Sequence, residues 1–272
     1  MKQVASLKYG VVFKKAFCEP EIFTAFVRDV AGLPIEVDYV ETEKEFDPPV
    51  GYVKPGFDLF AEDTKHRVVV DIQHARTADH YDRFLYYHCV ALLEQIAKAE
   101  NYHLKLQVLT VVVLTSGDRH QHAVSISDFD PHSLDGTPLH EIPHKVIYLC
   151  PKKVIYLCPK YVTEETPEPC REWLQAINDT LDQEVDETLY AQAAIHKLFD
   201  AIQREHISPE ERARMIDEFH QDELQQTKFE EGQCSRQREI AAALLDEGVA
   251  VEIIRKTTGL SQEEIILLQD KK

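Results

Sequence analysis

The spacing of apolar residues predicts helices at the start of the chain. Within Leu7–Val30 apolar side chains recur every three or four positions, and Pro20 divides the segment into two helical pieces. The pattern becomes extended in Ile35–Phe46. Residues 48–56, which are rich in proline and glycine, then predict an irregular connection.

Shorter apolar runs in the middle of the chain predict a sheet. Phe57–Ala61 and Arg67–His74 read as the two strands of a hairpin, joined by the polar turn 62–66. Between the hairpin and the next strand, a helix is predicted from Asp79 to about residue 100. Its predicted apolar stripe comprises Leu85, Cys89, Leu92 and Ile96, and is widened by Tyr86, Val90, Leu93 and Ala97. Further strands are expected in 104–115, 123–126 and 145–160, and this alternation indicates an α/β domain.

Beyond Pro167 the pattern predicts helices alone. Ser208–Glu211 and Ser261–Glu264 have the spacing of capping boxes, and two short helices are expected to meet at Gly259. We therefore divide the chain into an α/β core over residues 1–165, a helical extension over 166–235 and a short helix–turn–helix-like module over 236–272.

An exact tandem duplication interrupts the predicted core. The eight residues Lys145–Lys152 recur without change as Lys153–Lys160. Because the repeat length is even, a strand built from either copy keeps the same faces inward and outward. An in-frame duplication explains the repeat, and only one copy fills the strand position.

Composition narrows the cellular setting. The chain has no run of the roughly 18–20 apolar residues that a membrane helix needs, and its first residues carry no apolar signal segment. Its six cysteines form no Cys-x-x-Cys pair, which excludes a zinc knuckle or a dithiol redox motif. These features predict a cytoplasmic protein that does not interact with membranes.

The net charge of −18 is unusual for a protein that acts on nucleic acid, but it is unevenly distributed. Residues 1–160 carry 18 basic against 22 acidic side chains, whereas residues 161–272 carry 12 against 26. The acidity therefore belongs to the second half. The first half retains enough basic residues for a local basic groove.

The predicted hairpin brings two carboxylates together. If its turn is centred between residues 64 and 65, Asp58 faces Asp71 and Phe60 faces Val69. Opposed Cβ atoms in such a pair lie about 4.5–5.5 Å apart. Because side chains alternate along a strand, Gln73 points the same way as Asp71. The residues expected to point to the opposite face, into the core, are Phe57, Leu59, Val68, Val70 and Ile72.

Two adjacent carboxylates on an apolar hairpin repel each other, and a divalent cation relieves that repulsion. Such a cation also polarises a phosphate oxygen and lowers the pKa of a bound water. The alternative is a pair of surface carboxylates on a solvated sheet face. The run Val68–Val70 favours the metal site, because it indicates a strand that is buried on both faces.

These motifs, in this order, resemble the PD-(D/E)XK nuclease superfamily, and within it the branch of Rpn recombination-promoting nucleases and transposases. The resemblance rests on Asp58, on Asp71-Ile72-Gln73, and on a following helix with Arg83 and Tyr86-Tyr87. It also includes the opening segment Lys8–Phe17 and two tail segments, Ala241–Gly248 and Thr258–Ile265. It covers nearly the whole chain apart from the extra eight-residue copy. It implies a restriction-endonuclease-like core, a mixed central sheet flanked by helices, with an all-helical C-terminal tail.

The resemblance also implies roles for individual residues. Asp58, Asp71 and the backbone carbonyl of Ile72 would hold Mg²⁺ or Mn²⁺, and Gln73 stands where the superfamily usually has a catalytic lysine. Gln73 is common in this branch, but it removes a cation that would stabilise charge in the transition state. A second departure is Gly10, where many relatives have an acid. The acids considered as substitutes are Glu41, Glu43 and Glu45.

Arg83 has two interpretations, a contact to the scissile phosphate or a surface ion pair with Asp79. The histidines near this region, His74, His80 and His88, match no zinc-binding spacing. Because the second helix of the C-terminal module has no basic residue before Lys271, protein interaction or homo-oligomerisation is favoured over DNA binding for this module.

The leading hypothesis is a metal-dependent DNA endonuclease that acts in recombination or transposition. Its catalytic residues would be Asp58, Asp71, Gln73 and Arg83. One alternative is a protein that has this fold but no catalytic activity and serves as a binding or scaffolding module. Another is a helix–turn–helix regulator, which the acidic tail disfavours.

Overall fold

The structure is a computed structural model that describes residues 1–47, 53–74, 80–97, 104–117, 122–142, 144–149, 166 and 168–269. The chain divides into two compact units, Met1–Phe219 and His220–Lys272. Within the described ranges, no helix combines the length and the apolar character needed to cross a bilayer.

Two helices follow the short strand β1 (Lys2–Gln3), as the apolar spacing predicted. They are α1 (Gly10–Phe17) and α2 (Pro20–Ala31). Pro20 begins α2, where its fixed φ suits a helix and its missing N–H costs nothing. Gly32 ends α2 with a φ of 67°, a conformation that glycine adopts without strain.

Six strands of the described residues form the central sheet. They are β2 (Glu41–Glu45), β3 (Gly56–Glu62), β4 (His66–Gln73), β5 (Gln107–Leu114), β6 (Val124–Asp128) and β7 (Lys145–Leu149). Their order across the sheet is β2-β3-β4-β5-β7-β6. β4, β5 and β7 are parallel to one another, and the remaining pairings are antiparallel. The sheet is mixed, as expected.

The predicted register of the hairpin is confirmed. Phe60 lies opposite Val69 and Leu59 lies opposite Val70. This is the pairing expected for a turn centred between residues 64 and 65. Val69 and Val70 are both fully buried, one on each face of β4. The strand is therefore buried on both sides, which is typical of parallel sheets covered by helices.

Helices cover the sheet on both faces. One face packs against α1, α2 and the later helices of the first unit, in a core that includes Leu59, Val68 and Trp173. The other face packs against the helix α3 (His80–Ala97), in a cluster that includes Phe60, Val69 and Phe84. Phe57 belongs to this second cluster, where its ring contacts Tyr87. The prediction that Phe57 shares a face with Leu59 was therefore wrong.

The buried face of α3 also differs from the prediction. Its buried residues are Phe84, Tyr87, His88, Val90 and Ala91. Leu85, which was assigned to the apolar stripe, is 42% exposed. Val90 is buried as predicted, but Leu85 and Leu93 are exposed. The predicted face was wrong in this part because apolar and aromatic residues occur on every side of this helix, so spacing alone did not fix its rotation. Asp79, the expected N-cap, lies outside the described residues.

The part of the first unit that follows the sheet is not purely helical. It contains α4 (Glu168–Asp179) and α5 (Ala193–Ala201), but also a strand, β8 (Glu184–Val185), which pairs antiparallel with β1. The expectation of helices alone after Pro167 was wrong here. A two-residue strand is too short to produce an alternating pattern, and its partner lies at the other end of the sequence.

Three further helices complete the chain: α6 (Pro209–Asp246), α7 (Val251–Thr258) and α8 (Gln262–Gln269). The capping box before α6 is confirmed, because Glu211 N donates to Ser208 Oγ over 3.1 Å and Ser208 N donates to Glu211 Oε2 over 2.7 Å. The box at Ser261 is confirmed by the same pair of bonds with Glu264. Ala241, Ile254, Leu260 and Ile265 form a small core in the second unit.

The first copy of the duplicated octapeptide supplies a strand of the sheet. β7 occupies Lys145–Leu149 and pairs with both β5 and β6. The second copy, residues 153–160, lies outside the described residues. The fold therefore uses the earlier copy for the strand position.

Candidate metal centre

The hairpin places Asp58 and Asp71 side by side, one residue beyond the Leu59–Val70 pair. Asp58 N donates to Asp71 Oδ1 over 3.0 Å, and Ile72 N donates to Asp58 Oδ2 over 2.9 Å. Each carboxylate is thus held by a backbone N–H of the neighbouring strand. The two carboxylates thus lie close together, although the pairing of β3 with β4 ends at Leu59 and Val70 and Phe57 is on the face opposite to the predicted one.

These backbone bonds use one oxygen of each carboxylate and leave the other available. Asp71 is 3% exposed, and its Oδ2 is buried with no hydrogen-bond partner among the described residues. Asp58 Oδ1 faces the ammonium of Lys14 at 4.0 Å. A buried carboxylate oxygen without a donor costs free energy unless a cation approaches it. The donor set therefore fits a hard divalent cation, which prefers carboxylate oxygens.

Electrostatics supports the same interpretation. Burial, and then the negative charge of Asp58, raise the pKa of Asp71 well above its ordinary value. Burial also raises the pKa of Asp58, although the N–H of Ile72 and the positive charges of Lys14 and Arg83 oppose that rise. Holding both carboxylates ionised without a cation is therefore unfavourable.

The candidate metal site has few side-chain ligands. No group of three or more His, Cys, Asp or Glu side chains that could hold a metal occurs in the part of the chain that the structure describes. Asp58 and Asp71 are two such side chains, so a third protein ligand would have to come from another kind of group. The backbone carbonyl of Ile72, between Asp71 and Gln73, remains the candidate that the sequence suggested.

Gln73 is the last residue of β4 and is half-buried. It pairs with Leu114 of β5, and its carbonyl accepts a hydrogen bond of 3.1 Å from Thr115 N. The adjacent His74 contacts Thr115 Oγ1 through Nδ1 at 2.9 Å. The C-terminal ends of β4 and β5 thus fix the backbone around Gln73. Asp71 lies at the same end of β4.

Arg83 also lies near the carboxylates. Its positive charge lowers the pKa of both Asp58 and Asp71, against the larger effect of burial. The guanidinium stacks over the rings of Phe84 and Tyr87 at 5.3 and 5.2 Å, and Nε donates to Tyr87 Oη over 3.3 Å. Tyr87 is buried, whereas Arg83 is exposed to solvent. The rotation of α3 brings this charge toward the hairpin.

Sequence reasoning missed Lys14. It extends from α1 toward the hairpin, with Nζ 2.8 Å from Glu43 Oε1 and 4.0 Å from Asp58 Oδ1. Glu43 has a φ of 56°, in the left-handed region, and the β2–β3 pairing skips Glu43 and Asp58. Backbone strain of this kind is concentrated at functional sites. A lysine on an amphipathic helix carries no sequence signal that separates it from a surface residue.

Glu218 is the second residue that the sequence did not single out. It belongs to α6, yet its carboxylate accepts hydrogen bonds from Gly10 N (2.6 Å) and Val11 N (3.0 Å), at the start of α1. A Cβ atom built on Gly10 would lie 3.6 Å from Glu218 Oε1. A carboxylate from a distant helix therefore occupies the space beside Gly10. Of the three substitutes considered earlier, Glu43 is connected to Asp58 through Lys14, whereas Glu41 accepts from Lys44.

Replacing Glu218 by alanine is expected to lower the free energy of unfolding by about 1–2 kcal/mol, because two N–H groups at the start of α1 lose their acceptor. Asp217→Ala is the matched control, since Asp217 is exposed and adjacent on the same helix. Urea unfolding of both variants measures the difference. Equal stabilities would show that the bonds to Gly10 and Val11 do not stabilise α1.

Comparison with known families gives two matches. A model described as PD-(D/E)XK nuclease family transposase matches residues 35–228, which is more than half of the chain. A second model, described as Rpn/YhgA-like nuclease family, C-terminal HTH domain, matches residues 235–270. Searches of curated proteins and of solved structures gave no match.

Proposed function

Because this chain belongs to the PD-(D/E)XK nuclease family transposases, we propose that it is an endonuclease that hydrolyses phosphodiester bonds of DNA. Asp58, Asp71 and the backbone carbonyl of Ile72 would hold the divalent cation, Mg²⁺ or Mn²⁺. The observation that carries the proposal is the pair of convergent carboxylates. Each has one oxygen fixed by a backbone N–H and the other left for a cation.

Hydrolysis forms one bond between a water oxygen and phosphorus and breaks one phosphorus–oxygen ester bond. A proton of the water is released to solvent, and the departing sugar oxygen gains one. When bound, the cation would polarise a phosphate oxygen and lower the pKa of the attacking water. Asp58 and Asp71 then act as ligands, and their backbone bonds keep them in place without any cost of reorganisation.

Gln73 and Arg83 complete the proposed set of catalytic residues. An amide does not take up a proton at neutral pH, so Gln73 would orient water or a phosphate oxygen by hydrogen bonding rather than act as a base. Arg83 would contact the scissile phosphate. Its guanidinium is already held over two aromatic rings, which reduces the entropy lost when it binds phosphate.

The second unit would hold DNA, since its match is a helix–turn–helix domain. Arg255 and Lys256 lie in the last turn of α7, whereas Glu263 and Glu264 lie in the first turn of α8. Phosphate contacts would therefore involve α7 rather than the start of α8. This proposal replaces the sequence-based preference for an interaction tail. The family description, a transposase, supports the proposed role in recombination or transposition.

A scaffolding protein without activity was the main alternative, because Gly10 lacks an acidic side chain. The carboxylate of Glu218 beside Gly10 weakens that objection, since an acid is present at this point of the fold. The geometry therefore favours a competent site over a degenerate one.

The proposal is tested by incubating the protein with supercoiled plasmid and Mg²⁺ or Mn²⁺. The wild type is expected to produce nicked or linear DNA, and Asp71→Asn is expected to cut more slowly by a factor on the order of 10³. Asp38→Asn removes the same charge from an exposed position and should cut like the wild type. Equal cutting by wild type and Asp71→Asn, or none by either, would refute the proposed function.

A further inference from the structure

We propose that Lys14 is a catalytic residue that donates to the scissile phosphate and stabilises the negative charge developing there. This inference rests on the proposed function and deepens it. A positive group is needed near the phosphate because hydrolysis of a phosphodiester builds negative charge on the phosphate oxygens. Gln73, at the end of β4, is neutral and does not supply that charge. A cation from another element can meet that need.

The position of Lys14 is the first argument. Its Nζ lies 4.0 Å from Asp58 Oδ1, the oxygen of Asp58 that no backbone N–H engages. At this separation the two groups form an ion pair but not a hydrogen bond. The ammonium therefore borders the oxygen that would face the cation, and its hydrogen atoms remain available to another acceptor at the same place.

The second argument is that Lys14 is held in position. Its side chain is 19% exposed, and it is carried by a helix whose residues Phe13, Ala16 and Phe17 are fully buried. The start of that helix is fixed by Glu218. A salt bridge to Glu43 holds the ammonium itself at 2.8 Å. Preorganised charge of this kind stabilises a transition state more than a flexible surface lysine does.

Lys15, the neighbour of Lys14 on the same helix, is engaged elsewhere. Lys15 donates to Glu211 and to the carbonyl of His206. Arg83, which would also contact the phosphate, belongs to α3, on the opposite face of the sheet. Among the described residues, no lysine or arginine other than Lys14 has a side-chain nitrogen within 4.0 Å of a carboxylate oxygen of Asp58 or Asp71.

A purely structural role makes a different prediction. If Lys14 only neutralises Asp58 when no metal is bound, its removal should improve metal binding and leave the rate at saturating metal unchanged. If Lys14 contacts the phosphate, metal binding should be retained or improved while the rate falls. The two readouts, metal affinity and cleavage rate, therefore separate the roles.

The experiment compares Lys14→Gln, Lys14→Arg and the control Lys65→Gln, since Lys65 is exposed at the turn of the same hairpin. Binding of Mn²⁺ is measured by calorimetry, and plasmid cleavage at saturating Mn²⁺ and DNA. Lys14→Gln is expected to bind Mn²⁺ at least as tightly as the wild type and to cut about 100-fold more slowly. Lys14→Arg should recover part of the rate, and Lys65→Gln should match the wild type.

Cleavage by Lys14→Gln within about threefold of the wild-type rate would overturn the inference and leave the proposed function intact. Loss of Mn²⁺ binding together with activity would also overturn it, because Lys14 would then act by maintaining the site. A wild-type protein that cuts no plasmid overturns both the proposed function and this inference. Melting temperatures confirm that each variant is folded.

Discussion

Replacing Asp71 by asparagine is expected to stabilise the metal-free protein while it slows metal-dependent cleavage by a factor on the order of 10³. The carboxylate is buried beside Asp58, and burial and this neighbouring charge both raise its pKa. Asparagine keeps an oxygen that can accept from Asp58 N but carries no charge. Removing one buried like charge should raise the free energy of unfolding at neutral pH by about 1–2 kcal/mol, a gain typical of functional sites that are not optimised for stability.

The measurement is thermal unfolding in the presence of a chelator. A gain of this size corresponds to an increase in melting temperature of roughly 2–6 °C for a protein of this length. Asp38→Asn, at an exposed position, should leave the melting temperature unchanged. A lower melting temperature for Asp71→Asn would contradict the repulsion between the carboxylates on which the metal-site argument depends.

Acid is expected to destabilise the fold through His88. This side chain is fully buried, its Nδ1 lies 3.0 Å from Thr110 Oγ1, and its ring stacks on Phe129 at 5.0 Å. Burial, and then the charge of His144, lower the pKa of His88 from 6.5 to about 3. Between pH 6.5 and about pH 3 the unfolded chain binds a proton at His88 that the folded chain does not. The contribution of neutral His88 to stability is therefore complete above the pKa of the unfolded state, and it is lost progressively as the pH falls through this window.

The size of this effect follows from linkage. The pKa of His88 in the unfolded chain lies about two units above pH 4.5. The titration of His88 should therefore make the free energy of unfolding about 2–3 kcal/mol lower at pH 4.5 than at pH 7. His88→Phe preserves the stacked ring and cannot titrate. Urea unfolding of both proteins at pH 7 and pH 4.5 should therefore show a smaller loss in the variant by about that amount. Parallel losses would show that His88 takes up its proton without unfolding.

The hairpin and its register were predictable because strong local patterns determine them. The valines Val68–Val70 indicate a strand with two buried faces, and the short polar turn leaves little freedom in pairing Phe60 with Val69. Asp58 and Asp71 are the residues next to the last pair of that register, Leu59 and Val70, which is why their proximity could be expected. Helix α1 and the capping boxes were predictable for the same reason, since each depends on neighbouring residues.

The remaining features depend on contacts between distant parts of the chain. Glu218 reaches Gly10 across 208 positions, and Lys14 reaches Glu43 across 29. Neither contact leaves a periodic signal in the sequence. The rotation of α3 was also inaccessible, because aromatic residues on several of its sides left the choice of buried face to packing against β4 and β5.

These observations change how the candidate site is understood. The sequence suggested two carboxylates, a neutral glutamine and Arg83 as a contact to the phosphate. The structure adds Lys14, whose helix α1 packs on the face of the sheet opposite to that of α3 and Arg83. The site thus combines a metal-binding edge with two positive groups suited to a phosphate.

The central claim, that Asp58 and Asp71 together bind a divalent cation, is tested most directly by calorimetric titration of Mn²⁺ into the wild type, Asp58→Asn, Asp71→Asn and the control Asp38→Asn. We expect saturable binding by the wild type and by Asp38→Asn. Both substitutions at the carboxylate pair should weaken it by at least about 100-fold. Binding by Asp71→Asn with the affinity of the wild type would contradict the assignment of this site.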